Sequence, residues 1–580
     1  MPFNPVRILY NIVKSLVKLV YSSPGKKVEF GVSEDTPGPL INAPCGPIEG
    51  FVHKTAKGDT HCYLGIPYAE KPVGELRLEL PRPARPWTSI LKAKQFGLVS
   101  VPHHDCGTKW EYSEDSLTIS VLTPAIHKPG GYPVVFFSHP SAFSLASAKT
   151  MRYEGFCENI VAEGCVFVMF QYRYGYLGFA STGDAVMPGN LGLHDQVLAL
   201  DWTRRNISAF NGNPSRITGW GMSTGGISVS LLAISPKTRD YFVGHVQNSG
   251  GILEPSLFGN HVVLETRKLA RALGCVSEDS AEIKRCLKKA SIKQLMSAQE
   301  KLGITRDMFK FRWVPRLDGD LFPEDLPELI KKARPTPCFS GYTSDEMLYF
   351  YNGFLKDGAN LFIDKNKREN FDEEQLIYNV RNRLFTEEDY GPNHRKIADM
   401  VLDYYISEQS PKHKDPLYWL NIEQKLLSHL AILVPMYMEN KLKAEAGWPV
   451  YVYQNAHWRE GHFDPKDKNA AFRGCMHVSE MKQFCGAPVP TKYVMNAEDL
   501  KHKHALIQSH LNFFKTGNPS FDDIEWPKVD NDSLCCNVSL LPNSRINDKF
   551  VGDQKALEFW LKMIDEFGDT VIRTIHGAAM

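Results

Sequence analysis

Arg216-Ile217-Thr218-Gly219-Trp220-Gly221-Met222-Ser223-Thr224-Gly225-Gly226 carries an apolar stretch into a turn of small residues. Ile227-Ser228-Val229-Ser230-Leu231-Leu232-Ala233-Ile234 follows at once and reads as a helix. The pattern is strand, abrupt turn, helix, with a Gly-x-Ser-x-Gly pentapeptide at the turn. Small residues at both ends let the chain turn sharply and hold the serine hydroxyl clear of a sheet. A helix starting there aims its first amides at negative charge forming beside the serine. Five such residues alone arise by chance, and Ser223 then does no more than cap a helix. The predicted strand and helix on either side raise the motif above that background.

Working outward, the same alternation continues in both directions. Tyr132–Pro140 (YPVVFFSHP) and Cys165–Tyr172 (CVFVMFQY) are nearly continuous apolar runs. Runs of that kind, separated by helical segments, read as parallel strands buried on both faces. Leu193–Phe210 has helical spacing and supplies the crossover before the strand that leads to Ser223. Upstream, FVHKTAKGDTHCYLGIPYA predicts a hairpin and a fixed turn. Downstream, HVQNSG, Arg334–Glu346 and Val450–Trp458 predict further strands, the last being the final clear core strand. Leu257–Met308 predicts a helical insertion over the sheet, and Asp372–Leu417 a charged helical region. HALIQSHLNFFKTGNPS reads as a helix stopped by Gly517, and VGDQKALEFWLKMIDEFG as a closing helix. The expected class is α/β, a large and mostly parallel central sheet flanked by helices. One body over 24–580 is the simplest division, with the segment 1–23 set apart.

Composition limits the partners. Lys plus Arg is 67 against 66 for Asp plus Glu, so no net basic charge points to nucleic acid. There is no zinc-finger spacing, no Walker lysine loop and no HExxH pair. Basic residues such as Lys482 and Lys515 read as solvated surface. Twelve cysteines in 580 residues are too few for a small disulfide scaffold, and they do not fix the compartment. In the first 23 residues, Asn11, Lys14, Ser15 and Lys18 share one side of a helix whose remainder is apolar. That amphipathic segment is too interrupted to span a bilayer. It reads as a peripheral membrane attachment or as a helix docked on the body. Asn206, Asn531 and Asn537 begin N-x-Ser sequons, which matter only in the secretory pathway. A cytoplasmic or peripheral-membrane location is expected, with the secretory pathway as the alternative. Nothing in the composition states an oligomeric order.

A serine is a poor nucleophile unless a base takes its proton and an acid holds the base's tautomer. His477, in the loop segment Gly474–Glu480, is the favoured base. His139, His194 and His457 read as structural. Asp345 and Glu346, at the end of a predicted strand, are nearly tied as the acid. Either gives the order serine, acid, histidine.

Several motifs stand in register beyond the elbow: GIPYAEKPVGELR, SEDSLTISV, NLGLHDQVLALDWTRRNISAFNGNP, GWGMSTGG, SDEMLYF and GCMHVSE. Together, from PCGPIEG nearly to the C-terminus, the chain resembles the type-B carboxylesterase family, which includes cholinesterases and their non-enzymatic adhesion relatives. The resemblance implies an α/β-hydrolase fold with helical insertions over an active-site gorge. It implies Ser223 as nucleophile, Glu346 rather than Asp345 as acid, and His477 as base. It puts the oxyanion at the amides of Ser141, Ala142 and Thr224, and a disulfide at Cys275–Cys286. The reaction implied is hydrolysis of a small or medium hydrophobic ester, a chemistry that needs neither metal nor organic cofactor. An acyltransferase on the same machinery, or a catalytically impaired binding or adhesion protein of this fold, are the alternatives.

Departures from the family cluster around the serine. His139-Pro140-Ser141-Ala142-Phe143 stands where the family has His-Gly-Gly-Gly-Phe. Glycine permits backbone angles and close approach that Ser or Ala resist. Met222 and Thr224 flank the serine, where an acidic or polar residue and an alanine are usual. Met347 and Val478 follow the acid and base, where glycine is common. Cys106 takes the place expected for a choline-stacking tryptophan, with Trp110 nearby. Ser100 and Ser116 take the cysteine positions of the family's first disulfide, which predicts a more mobile gorge entrance. The ending RTIHGAAM is not an endoplasmic-reticulum retention signal.

Overall fold

The computed structural model describes residues 31–103, 111–255, 257–303, 311–351, 365–407, 415–463, 473–487, 492–522, 524–529, 538–540, 546–547 and 553–577. The amphipathic segment 1–23, Cys106, Trp110 and the sequons at Asn531 and Asn537 lie outside these residues.

The main sheet has eleven strands. In chain order they are β1 (Phe51–Thr55), β2 (Gly58–Pro67), β3 (Thr118–Pro124), β4 (Tyr132–Ser138), β5 (Val166–Phe170), β6 (Gly212–Met222), β7 (Phe242–Asn248), β8 (Cys338–Thr343), β9 (Val450–Asn455), β10 (Val538–Leu540) and β11 (Ile546–Asn547). Across the sheet the order is β11-β10-β9-β8-β7-β6-β4-β5-β3-β2-β1. Every neighbouring pair from β10 to β5 is parallel. The two flanks are antiparallel. The apolar runs read from sequence fall in the parallel centre. Val134, Phe136, Val166 and Phe170 are fully buried, which explains why no polar residue alternates with them. At the flank, Thr55 pairs with Gly58, so Ala56 and Lys57 form the turn of the predicted hairpin.

Helices cover the sheet: α1 (Leu191–Asn206), α2 (Thr224–Ile234), α3 (Val434–Glu445), α4 (Ala497–Thr516) and α5 (Gln554–Phe567). Helical insertions lie between β7 and β8, including His261–Ala272, Ser280–Lys289 and Ile292–Lys301, and between β8 and β9, including His394–Ser407 and Pro416–Ser428. The sheet and α4 meet at Trp220, whose ring centroid lies 4.8 Å from Phe137, 4.7 Å from Phe484 and 5.6 Å from Phe514. Truncating a fully buried ring of this kind to alanine costs about 3–5 kcal/mol.

Two expectations about the C-terminal part are corrected. Val450–Trp458 is not the last strand, because β10 and β11 extend the sheet beyond it. Nor does α5 close the chain's structure, since a further helix covers Thr570–Gly577. The helix before Gly517 ends there as predicted.

Cys275 and Cys286 form the disulfide the resemblance implied. Ser100 and Ser116, where the other disulfide is missing, are both buried and face each other at 2.8 Å between hydroxyl oxygens. Ser100 Oγ also donates to the Tyr172 carbonyl at 2.8 Å. Hydrogen bonds therefore hold this junction, where the loss of the family's disulfide predicted a more mobile entrance. The Asn206 sequon is closed: its amide oxygen accepts from the Cys45 N–H at 3.0 Å, and its NH2 donates to the Trp202 carbonyl at 2.8 Å. No described helix is long and apolar enough to cross a membrane.

Candidate active site

Parallel strands deliver their carboxyl ends to one edge of a sheet, and loops leaving that edge gather side chains from distant sequence. Register puts Gly221 beside Ser138, Met222 beside Asn248, Asn248 beside Gly341 and Thr343 beside Asn455. The residues just after β4, β6, β7 and β8 thus come together.

Ser223 sits between β6 and α2 at φ 56° and ψ −132°, a conformation that costs a non-glycine residue about 1–3 kcal/mol. Two glycines make that turn sterically open. A Cβ on Gly221 would lie 2.0 Å from the Gly225 carbonyl oxygen, and one on Gly225 would lie 2.1 Å from the Ser138 carbonyl oxygen. The Ser223 amide donates to the Asn248 carbonyl at 2.7 Å. Asn248 is held in turn, its side-chain oxygen accepting from Trp220 Nε1 at 2.7 Å and its NH2 bonded to the Tyr453 hydroxyl. The Tyr453 hydroxyl donates to Glu480 at 2.8 Å. Burial pushes the Glu480 carboxyl up to about 8, so it is neutral at pH 7.

Ser223 Oγ lies 3.0 Å from His477 Nε2, and His477 Nδ1 lies 2.6 Å from Glu346 Oε2. The tautomer that satisfies both contacts has Nδ1–H donating to the carboxylate and Nε2 accepting from the serine hydroxyl. The other Glu346 oxygen accepts from Ser249 Oγ and from the Thr343 N–H, each at 2.7 Å. Glu346 and His477 are buried. Asp345 turns elsewhere: its Oδ2 accepts from Ser344 Oγ at 2.5 Å and from the Cys475 amide at 3.3 Å. Of the two carboxylates, it is Glu346 that contacts His477. Val478, after the histidine, holds φ 57°, which is the strain expected of a β-branched residue where glycine is usual.

Below the serine, α2 is tied to α3 through Ser230, whose hydroxyl bonds both members of a buried ion pair within α3. Lys443 Nζ donates to Glu439 Oε1 at 2.6 Å, to Ser230 Oγ at 2.9 Å and to Gln247 Oε1 at 3.1 Å. Glu439 Oε2 also accepts from the Ile252 amide at 2.8 Å. A pair so fully hydrogen-bonded fixes the helix that carries the serine, and removing one partner would strand the other charge.

The third wall is His139–Phe143. Ala142 and Phe143 both hold φ 49°, and Ala146 holds 72°. The segment takes glycine-like angles without glycine. The Ser141 N–H donates to Thr224 Oγ1 at 3.1 Å. The amides of Ala142 and Thr224 have no acceptor among the described residues. His139 stacks on Tyr172, with ring centroids 5.2 Å apart. Burial drags its pKa down to about 4, so it is neutral and does not compete as the base.

The other histidines expected to be structural are engaged away from Ser223. His194 lies 3.9 Å from Asp318 and Asp320. His457 and His462 reach Asp499 Oδ1 at 2.8 and 2.7 Å. That trio is the candidate metal-ligand group among the described residues. Asp499 Oδ2, however, takes the Arg459 guanidinium at 2.6 and 2.9 Å and the Asn496 amide at 2.9 Å. Burial raises the Asp499 carboxyl, but Arg459, the Asn496 amide and the two imidazoles outweigh it and hold it well below the usual range. A carboxylate already neutralised by a guanidinium is chemically an ion-pair node. It ties α4 to the loop after β9.

Sequence reading missed Ser249, Tyr172 and Glu480. Ser249 stood in the noted HVQNSG, where a serine after an apolar strand end was the available hint. Tyr172 and Glu480 had none, since their partners lie far off in sequence.

A profile described as the carboxylesterase family matches residues 37–560. Gut esterase 1 of Caenorhabditis briggsae is 31% identical over 538 residues, covering 92% of this chain and 94% of the relative. Gut esterase 1 of Caenorhabditis elegans is 30% identical over 551 residues, covering 93% and 96%. Pyrethroid hydrolase Ces2e of Rattus norvegicus is 28% identical over 555 residues, covering 92% and 91%. The sheet order, the serine at the strand–helix turn and a match that runs through Ser223, Glu346 and His477 agree: this chain belongs to the carboxylesterase family and has the α/β-hydrolase fold.

Proposed function

We propose that this chain is a carboxylic ester hydrolase in which Ser223 is the nucleophile, His477 the base and Glu346 the acid. The observation that carries the reading is the unbroken hydrogen-bond path from Ser223 Oγ through His477 to Glu346. The names of its relatives, esterase and pyrethroid hydrolase, support a hydrophobic ester as substrate. His477 Nε2 takes the Ser223 proton as Oγ bonds to the ester carbonyl carbon. The carbonyl oxygen becomes an oxyanion facing the Ala142 and Thr224 amides. Its collapse breaks the bond to the alcohol, which leaves with the proton from His477. Water then adds to the acyl-enzyme, giving its proton to His477, and the acid departs as Ser223 recovers the proton. The Glu346 carboxylate steadies the imidazolium.

The catalytically impaired alternative has one observation in its favour, the engaged Ser141 amide beside two alanine-and-phenylalanine positions at positive φ. A fluorophosphonate probe separates the readings. Folded wild-type protein is expected to label and Ser223→Ala to stay unlabelled, with kcat on a short-chain ester falling on the order of a million-fold. Wild-type protein that is folded but takes no label overturns the proposal.

A further inference from the structure

The hydroxyls along the altered wall contain one hydrogen more than they have places to put it. Tyr172 is fully buried, and among the described residues its hydroxyl meets only Ser141 Oγ, at 2.5 Å. Burial raises the phenol pKa, so the group keeps its proton at any working pH. Ser141 Oγ also receives the Phe143 amide at 3.2 Å and lies 3.1 Å from Thr224 Oγ1. Thr224 Oγ1 in turn receives the Ser141 amide at 3.1 Å.

A hydroxyl offers one hydrogen and two lone pairs. With Tyr172 donating, Ser141 Oγ is filled by the tyrosine O–H and the Phe143 N–H, so its own hydrogen goes to Thr224. Thr224 Oγ1 is then filled by the Ser141 hydroxyl and amide. What remains is the Thr224 O–H, with no acceptor among the described residues. Run in the opposite direction, the same chain strands its spare hydrogen on Tyr172. A negative oxygen beside Ser223 selects the first direction, because only Thr224 adjoins the nucleophile. Thr224 is buried, so an unmet donor there is costly until a ligand accepts it.

We infer that the Thr224 hydroxyl is the third oxyanion donor of this protein, taking the place of the Ser141 amide, with Ser141 and Tyr172 as positioning residues that fix its polarity. Two departures from the family, serine in the glycine run and threonine after the nucleophile, are thereby one linked change. The alanine usual at 224 has no oxygen to occupy the Ser141 amide and none to replace it. The inference rests on the hydrolase reading.

Thr224→Val removes the hydroxyl while keeping the shape. On the full-length protein, kcat for a short-chain ester is expected to fall about 100-fold with KM little changed. Affinity for a trifluoromethyl ketone, which forms a tetrahedral adduct on Ser223, falls in step. Thr224→Ser restores the donor and is expected to recover most of the turnover that Thr224→Val loses. Tyr172→Phe loses kcat less steeply, again without a KM change, and carries the test if Thr224→Val does not fold. Unchanged or faster turnover in both Thr224→Val and Tyr172→Phe, with an active wild type, overturns this assignment and leaves the hydrolase intact. A wild type inert to both fluorophosphonate and ester overturns the hydrolase reading, and this assignment with it.

Discussion

The two sides of Ser223 are built on opposite principles. On the histidine side each described polar contact is matched: Glu346 spends one oxygen on His477 and the other on Ser249 and the Thr343 amide. A backbone amide at the end of β8 and a serine hydroxyl just after β7 hold it there. On the oxyanion side the peptide from His139 to Phe143 bends through positive φ without glycine, and side-chain hydroxyls occupy what backbone amides would otherwise leave open. The contrast shows where variation is tolerated. In the proposed mechanism, proton transfer runs through three side chains in one line, which leaves little room for substitution. Charge stabilisation needs donors of the right direction, and a hydroxyl can stand in for an amide.

The sharpest way to break this comparison is Glu346→Gln. It keeps the volume but removes the charge and favours the wrong histidine tautomer, so kcat is expected to fall about 10⁴-fold. A loss of tenfold or less, measured on folded protein, means the histidine side is as tolerant as the other.

A second test probes the scaffold beneath the elbow. Burial raises the Glu480 carboxyl from the ordinary range near 4.5 to about 8. An acid raised on folding contributes stability that is complete below about pH 4.5 and lost as pH climbs through 8. At one pKa unit per about 1.4 kcal/mol, the swing is a few kcal/mol. Glu480→Gln keeps an acceptor for Tyr453 and cannot ionise. Urea unfolding at pH 5, 7 and 9 is expected to show the variant gaining on wild type as pH rises. Parallel curves for the two proteins contradict a buried neutral acid behind Asn248.

The smallest effect concerns the strained wall itself. Ala142→Gly relieves φ 49°, offset in part by the extra freedom of glycine in the unfolded chain, for a net gain of about 1 kcal/mol. Calorimetric melting should rise by a few degrees or less. A lower melting temperature means the surrounding contacts, rather than the residue's own backbone preference, set that angle.

Much of this was legible beforehand, for reasons that differ by region. Tyr132–Ser138 and Val166–Phe170 announced themselves because strands covered on both faces tolerate no polar alternation. Ser223 was visible because a sharp strand-to-helix turn restricts residue choice locally. His477 was favoured by its place in a loop after a core strand, whereas Glu346 was separable from Asp345 only through family resemblance, since the two offer the same chemistry one residue apart. Strands Val538–Leu540 and Ile546–Asn547 escaped notice because two- and three-residue edge strands are held by main-chain pairing and leave almost no side-chain pattern. The Thr224–Ser141 contact joins residues 83 apart, and no local spacing encodes it. The serine-for-cysteine junction at Ser100 and Ser116 was read as a lost constraint. Its replacement by hydrogen bonds needed the third dimension.

The wide separation of the site's members also has a consequence during synthesis. Ser223 lies 254 residues before His477, and Glu346 lies 131 before it. At roughly 5–20 residues per second, a growing chain displays its serine for tens of seconds before the histidine exists. Through that interval the hydroxyl is ordinary and attacks nothing. Parallel strand pairing across such distances is itself slow. On the proposed mechanism, reactivity is therefore a late property of the chain, arriving with the folded whole.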